Sequence, residues 1–320
     1  MSDRVRLALI GAGEIANAMH YPSLAEFPDV ELAGLCDLEP ERLRATADRF
    51  GIQRTFTDYR RMLDEVEAAA VYLILPPFLV LEPVLECLDR GFHVFIEKPP
   101  GVSAAETGRM ADRARLRDRL SMVGFQRRFC PLLVESRRRV EERGPVIQCG
   151  ARYLKNRLGA RPYYDGRIDM LTCDVIHAVD ILRWMGGEVR RVVSDIGKCC
   201  ADYENAFNAL LKFESGAVGF LMNNWAVGKR TFSVELHARG ISAYAEPDDR
   251  AVFYQDNRNQ GTELASREAA GSDRPHHYLG FRAENRHFID CIKEKRQPLT
   301  NFEEAVRSME LVELVRRSAW

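Results

Sequence analysis

A short apolar run over residues 5–10 passes directly into Gly11-Ala12-Gly13-Glu14-Ile15-Ala16, and this junction restricts the fold more than any other feature of the chain. A strand that turns at once into a helix needs small residues at set places. Gly11 permits the tight turn, Gly13 lets the backbone approach a pyrophosphate, and Ala16 keeps helix and strand close. The N-terminus of the following helix offers free N–H groups to phosphates. A second run, 30–36, ends beside Asp37, where an acidic side chain meets the ribose hydroxyls of a dinucleotide and repels a 2′-phosphate. NAD is therefore expected, with Arg42 one helical turn further on keeping NADP open. The competing reading is that Asp37 only caps the helix that begins at Pro40.

The alternation continues. Apolar runs at 5–10, 30–36, 69–75 and 92–96 are each followed by an amphipathic helical stretch, to 26, then 40–50, 79–90 and 103–119. Runs this apolar suit strands buried on both faces, and the alternation implies a parallel sheet with right-handed crossovers. After Gly144-Pro145 the pattern changes. A strand at 146–153 and a helix at 171–185 precede strands at 189–196, 205–213, 217–225, 231–238 and 251–254, with no helix among them, which points to a mostly antiparallel sheet. The stretch 255–277 reads as an exposed loop, and 278–294 and 301–318 as two closing helices. The expected fold is α/β: a doubly wound Rossmann domain over 1–124, then an α+β domain with a large, mostly antiparallel open sheet over 125–320. The last helix is free to return to the first domain.

Composition excludes several classes. Of 320 residues, 46 are Lys or Arg and 47 are Asp or Glu, a formal charge of −1, too balanced to drive the protein onto nucleic acid or an anionic membrane. Arg113, Arg115, Arg117 and Arg119 alternate with other residues along a helix, and Arg137-Arg138-Arg139 is followed by Glu141-Glu142, so both runs read as solvated helix surface. The uncharged stretch 68–81 is shorter than the roughly 20 residues of a spanning helix and is broken by Pro76-Pro77. No signal-peptide pattern precedes the first strand. Eight scattered cysteines without a CxxC pair fit a reducing compartment, and Cys173 with His177 lacks a second ligand pair. A cytoplasmic protein without a metal is expected.

Two places carry chemistry. The run at 92–96 ends in Glu97-Lys98-Pro99-Pro100, which puts Lys98, the only lysine in the first 150 residues, at the carboxyl end of a buried parallel strand, where ligands of such sheets bind. Lysine can titrate when desolvated whereas arginine cannot, so Lys98 suits proton donation or acceptance. A plain Glu97–Lys98 ion pair is the alternative. In the helix 171–185, His177 shares a face with Cys173, Asp174, Asp180 and Ile181. A histidine flanked by carboxylates suits proton transfer with an alcohol, and a histidine that merely packs the helix against its sheet is the alternative.

Taken together, GAGEIA at 11–16, Cys36-Asp37, Glu97-Lys98-Pro99, GFQRRF at 124–129, DVIHAVDILRWMGG at 174–187 and ENRHFIDCI at 284–292 resemble the Gfo/Idh/MocA (glucose–fructose oxidoreductase/inositol dehydrogenase) oxidoreductases over nearly the whole length. The resemblance implies an NAD(P)-dependent dehydrogenase whose nicotinamide lies between the domains beside a sugar or cyclitol. It implies Lys98 and His177 as the catalytic pair and Pro99 as a cis proline. Gly11, Gly13, Glu14, Ile15, Asp37, Arg42, Leu75, Pro76, Glu97, Lys98 and Gln126 would face the cofactor; Arg127, Lys155, Asp174 and Asp180 would face the substrate. A homo-oligomer, dimer or tetramer, is implied through the open sheet. Two departures stand out. The family's Asp-x-x-x-His has Cys173 in the aspartate slot with Asp174 one place late, and its Thr-Pro-Asn with a following histidine is replaced by Leu75-Pro76-Pro77 with Val80. Relatives that use NAD for non-redox glycoside elimination, or that bind nucleotide and sugar as silent regulators, define the alternatives.

Overall fold

The computed structural model describes residues 4–319; Met1 to Asp3 and Trp320, the extreme ends of the two expected domains, lie outside the described residues. The chain divides into two compact units. One comprises the stretch up to Phe125 together with Phe281–Val306, the other Gln126–Gly280 together with the stretch from Arg307 onward.

The first unit is built on a six-stranded sheet of β1 (Val5–Ile10), β2 (Val30–Cys36), β3 (Thr55–Phe56), β4 (Ala70–Leu73), β5 (His93–Glu97) and β6 (Ser121–Gly124). All pairings are parallel, in the order β3-β2-β1-β4-β5-β6. This is the doubly wound arrangement, with the strand order reversing between β1 and β4. Every residue of β4 and β6 is buried, as a sheet covered by helices on both faces requires. Local chemistry sets the helix limits. Pro40 opens Pro40–Phe50 and Gly51, at φ +68°, closes it, while Asp58 and Ser103 cap Tyr59–Glu65 and Ala104–Leu116 with their side chains.

The helix after the glycine turn is irregular. Ala16–His20 is wound as a π-turn, the Tyr21 N–H reaching back to the Ala16 carbonyl, before Tyr21–Ala25 resumes α geometry. Pro22, which has no N–H to give, follows at once, and the widened turn absorbs that break. The turn sets His20 fully inside the protein.

In the second unit, β7 (Gln148–Asn156), β8 (Val189–Gly197), β9 (Ala206–Phe213), β10 (Val218–Asn224), β11 (Ala226–Ala238), β12 (Ile241–Ala245), β13 (Arg250–Gln255) and β14 (Thr262–Ala265) form one sheet ordered β14-β13-β12-β11-β7-β10-β9-β8. Every pairing is antiparallel except β7 with β10. Burial alternates along β9 and β10, so one face is covered and the other carries exposed side chains. The structure corrects the reading of 255–277 as a loop: it contains β14 and the short helices Ser266–Ala270 and Pro275–Tyr278. β14 is an edge strand with three of its four residues exposed, so it lacks the apolar alternation that marks a strand in sequence.

Candidate functional site

In the first unit the glycine turn lies at the carboxyl end of β1. Gly11 has φ +99°, and an added Cβ would meet the Ile74 carbonyl oxygen at 2.3 Å, so only glycine fits. Gly13 differs: a Cβ there would meet nothing within 4 Å, which leaves open space over the turn for a phosphate to approach. Glu14 and Ile15 begin the helix behind it. The residues present therefore fit a dinucleotide.

Asp37, 7% exposed at the end of β2, is held on several sides. Oδ2 accepts the Ala12 N–H at 2.7 Å and Oδ1 the Glu39 N–H at 2.9 Å. The Arg42 guanidinium binds both oxygens, Nη2 to Oδ1 at 2.7 Å and Nε to Oδ2 at 3.2 Å. Burial alone would raise its carboxyl, but Arg42 and the two backbone donors hold it below the ordinary aspartate value. Asp37 thus buttresses the glycine turn and holds the Glu39 N–H just ahead of the next helix, but it is not that helix's cap: the N-cap is Glu39, which makes no side-chain cap bond. Arg42 is spent on that carboxylate.

At the end of β5, the Glu97 carboxylate accepts the Lys98 main-chain N–H at 2.9 Å through Oε2 and meets His20 Nε2 at 2.8 Å through Oε1. Lys98 is half-buried, and the Lys98–Pro99 peptide is cis. Leu75 and Pro76 follow β4. Because the sheet is parallel, the glycine turn, Asp37, Leu75 and Lys98 all stand at its carboxyl edge.

The second unit holds its own cluster. His177, 7% exposed, lies in Ile176–Gly186, directly after a π-turn at Leu171–Val175. In a regular helix, moving the acid by one place swings it by about 100°. Here Asp174 leaves the π-turn and forms an ion pair with the Lys155 ammonium, with Tyr153 Oη at 3.4 Å. The Tyr153 ring in turn meets the His177 ring edge-on at 6.4 Å between centroids, so Asp174 and His177 share a neighbour. Lys155 lies 4.5 Å from the Tyr153 ring centroid and 4.8 Å from that of Trp225, and bonds Tyr163 Oη at 3.2 Å. Burial opposes its charge, but Asp174 raises its pKa above the ordinary lysine value, so Lys155 stays a cation and a fixed donor.

The other expected substrate residues fare differently. Arg127, 5% exposed, lies over the Phe232 ring at 4.5 Å, with its Nε and Nη1 lacking hydrogen-bond partners; Phe232 packs edge-on against Tyr153 at 5.1 Å. Gln126 is buried beside it in the turn Gln126–Phe129. Asp180, only 1% exposed, gives both oxygens to Arg128, at 2.6 and 2.8 Å, and accepts Ser308 Oγ at 2.7 Å. Sequence reading singled out neither Arg128 nor Tyr153, and it missed His20 altogether.

The fold and the glycine turn define the class, an NAD-binding Rossmann unit followed by an α/β unit. The chain belongs to the Gfo/Idh/MocA oxidoreductase family, whose NAD-binding Rossmann fold matches residues 5–125 and whose C-terminal alpha/beta domain matches 138–320. It is 29% identical over 236 residues to myo-inositol 2-dehydrogenase of Thermotoga maritima, covering 69% of this chain and 68% of that protein. It is 24% identical to D-glucoside 3-dehydrogenase of Escherichia coli K12, covering 99% and 96% of the two chains. Levoglucosan dehydrogenase in complex with NADH and levoglucosan has the same fold, with a TM-score of 0.86 at 18% identity over 99% of this chain and 97% of that one.

Proposed function

We propose that this protein is a dehydrogenase that oxidises one hydroxyl of a sugar, sugar derivative or cyclitol, using NAD in preference to NADP. When bound, NAD supplies the hydride acceptor for the carbinol carbon. Gly11, Gly13, Glu14 and Ile15 would hold the pyrophosphate and Asp37 the adenosine ribose, where its charge repels a 2′-phosphate. Leu75, Pro76, Glu97, Lys98 and Gln126 complete the cofactor contacts. Arg42 acts through Asp37. Lys98 and His177 serve the same hydroxyl, orienting it and taking up its proton as the hydride leaves. Lys155, Asp174 and Arg127 bind the remaining hydroxyls. Asp180, committed to Arg128 and Ser308, anchors the helix that carries His177.

The observation that carries this reading is the shared carboxyl edge of the parallel sheet, where the glycine turn, Asp37 and Lys98 stand together. The inositol and glucoside dehydrogenases among the relatives support a polyol substrate, and the structure of levoglucosan dehydrogenase with NADH supports the cofactor. The test is a panel of sugars and cyclitols incubated with NAD and followed by NADH absorbance, with net NADH expected from at least one. Glycoside cleavage without net NADH would favour elimination, and tight sugar binding without turnover a silent regulator.

All eight cysteines are free thiols, and among the described residues no helix is long and apolar enough to cross a membrane. We assign the protein to the cytoplasm and to a homo-oligomer formed through the exposed face of the β7–β14 sheet.

A further inference from the structure

Behind Glu97, in the first unit, lie two residues, His20 and Glu284, to which neither the resemblance nor the proposed chemistry gives a role. His20 and Glu284 are both fully buried, the Glu97 side chain is 9% exposed, and the ligand atoms of all three lie within 4.8 Å of one another. His20 is bonded at both ring nitrogens, Nε2 to Glu97 at 2.8 Å and Nδ1 to Asn285 at 3.3 Å. Neither oxygen of Glu284 has a hydrogen-bond partner.

The surroundings are apolar. Phe95 and Phe281 each meet the His20 ring edge-on at 5.3 Å, and Tyr72 stacks on Phe95 at 4.5 Å. The Tyr72 hydroxyl is also without a partner, and burial pushes its pKa far up. Arg286, the nearby cation, is taken by Asp29 and Asp290. Two ionised carboxylates in such a box would repel without solvent to screen them, so one of them must hold a proton. Glu97 has a hydrogen-bond partner at each oxygen, the Lys98 N–H at Oε2 and His20 Nε2 at Oε1, whereas Glu284 has none, which makes Glu284 the carboxyl that burial leaves uncompensated. A cation is the other way to reconcile two carboxylates, but a His20–Glu97 separation of 2.8 Å is that of a hydrogen bond.

We propose that Glu284 is carried as the neutral acid and that, with His20, it is a positioning residue, holding Glu97 in the orientation from which its second oxygen fixes the Lys98 main chain. Burial, with Glu97 nearby, raises the Glu284 carboxyl well above its ordinary value. Gly124 contributes space: an added Cβ would press on the Phe95 ring at 3.3 Å and on Glu97 Oε1 at 3.4 Å. The positioning role rests on the assignment of Lys98 to catalysis; the protonation of Glu284 does not.

The test compares Glu284→Gln, the neutral isostere, with the parent. In the unfolded chain a glutamate ionises near pH ~4.3. Above that pH the parent must take up a proton to fold, so its stability falls as pH rises toward the folded pKa, and the glutamine variant lacks this loss. Thermal melts from about pH 5 to about pH 8 should show the melting-temperature gap widening with pH in favour of Glu284→Gln. A gap that stays constant or reverses overturns the neutral acid, as does a stoichiometric metal found by elemental analysis of the purified protein. Where the panel yields turnover, Glu284→Ala should lower kcat by about tenfold or more with NAD affinity retained, and Glu284→Gln should recover most of it; unchanged kcat in the alanine variant overturns the positioning role. The melts read without turnover, so an inactive protein with a widening gap refutes the dehydrogenase alone.

Discussion

At the scale of single residues, the division of labour between Lys98 and Asp37 yields two predictions. Lys98 follows β5 and is proposed to serve the reacting hydroxyl, whereas the proposed pyrophosphate and ribose contacts come from the glycine turn and Asp37. Lys98→Ala should lower kcat by about 10²- to 10⁴-fold while NAD affinity, measured by calorimetry, changes little; normal turnover would remove Lys98 from the mechanism. Asp37 carries a negative charge at the proposed ribose position, and its own contacts hold it ionised. Asp37→Ala removes that repulsion and frees Arg42 for a 2′-phosphate, so the NAD-to-NADP preference in kcat/KM should fall by an order of magnitude or more. An unchanged ratio would take Asp37 away from the ribose. Both residues were legible because each lies at a fixed offset from a strand end. His20 and Glu284 were not, since Asn285 meets His20 across 265 residues of sequence and no local pattern records such a meeting.

Elements follow a similar rule. Strands buried on both faces announce themselves by composition, and β1 and β2 begin and end where their apolar runs do. β3 has two residues and β12 five, beginning directly after Gly240, so turn signals dominate their windows. The π-turn before His177 was also illegible: residue spacing assumes α geometry, and the altered winding is what delivers Asp174 to Lys155. β5 supplies a prediction of its own. His93, at its first position, accepts the Leu120 N–H on Nδ1 at 2.9 Å, and burial, helped by Arg119, lowers its pKa from 6.5 to about 4. The folded pKa lies below the unfolded one, so the neutral ring's contribution is present above about pH 6.5 and is lost as pH falls toward 4. Relative to His93→Gln, the parent should lose about 1–2 kcal/mol across that window, after allowance for partial solvent screening. Parallel pH–stability curves for the two proteins would show that His93 is not held neutral.

For the molecule as a whole, the sheet of the second unit presents the largest feature that no part of this chain explains. In register across β8, β9 and β10 stand Val193, Leu210 and Phe220, and further along the same row come Glu235, Tyr244 and Val252. Leu210 is 47% exposed, Phe220 43%, Met222 47% and Tyr244 44%. Exposed apolar side chains on a sheet face cost solubility, even with Gly150 and Glu235 between Phe220 and Tyr244, and interfaces between copies are the usual remedy. The composition offers no strong net charge to keep copies apart, at −1. Leu210→Lys with Phe220→Lys places two cations on neighbouring strands toward the β8 end of that row, and like charges brought against their symmetry mates disfavour association while leaving the covered face untouched. Sedimentation velocity should therefore give an oligomer for the parent and a monomer for the double variant, with far-ultraviolet circular dichroism unchanged between them. A parent that sediments as a monomer, or a double variant that stays assembled, would move the interface elsewhere. The folding pattern that exposes this row was readable from the run of helix-free strands, but the row itself depends on strand order, which places β7 between β10 and β11 and no sequence window contains.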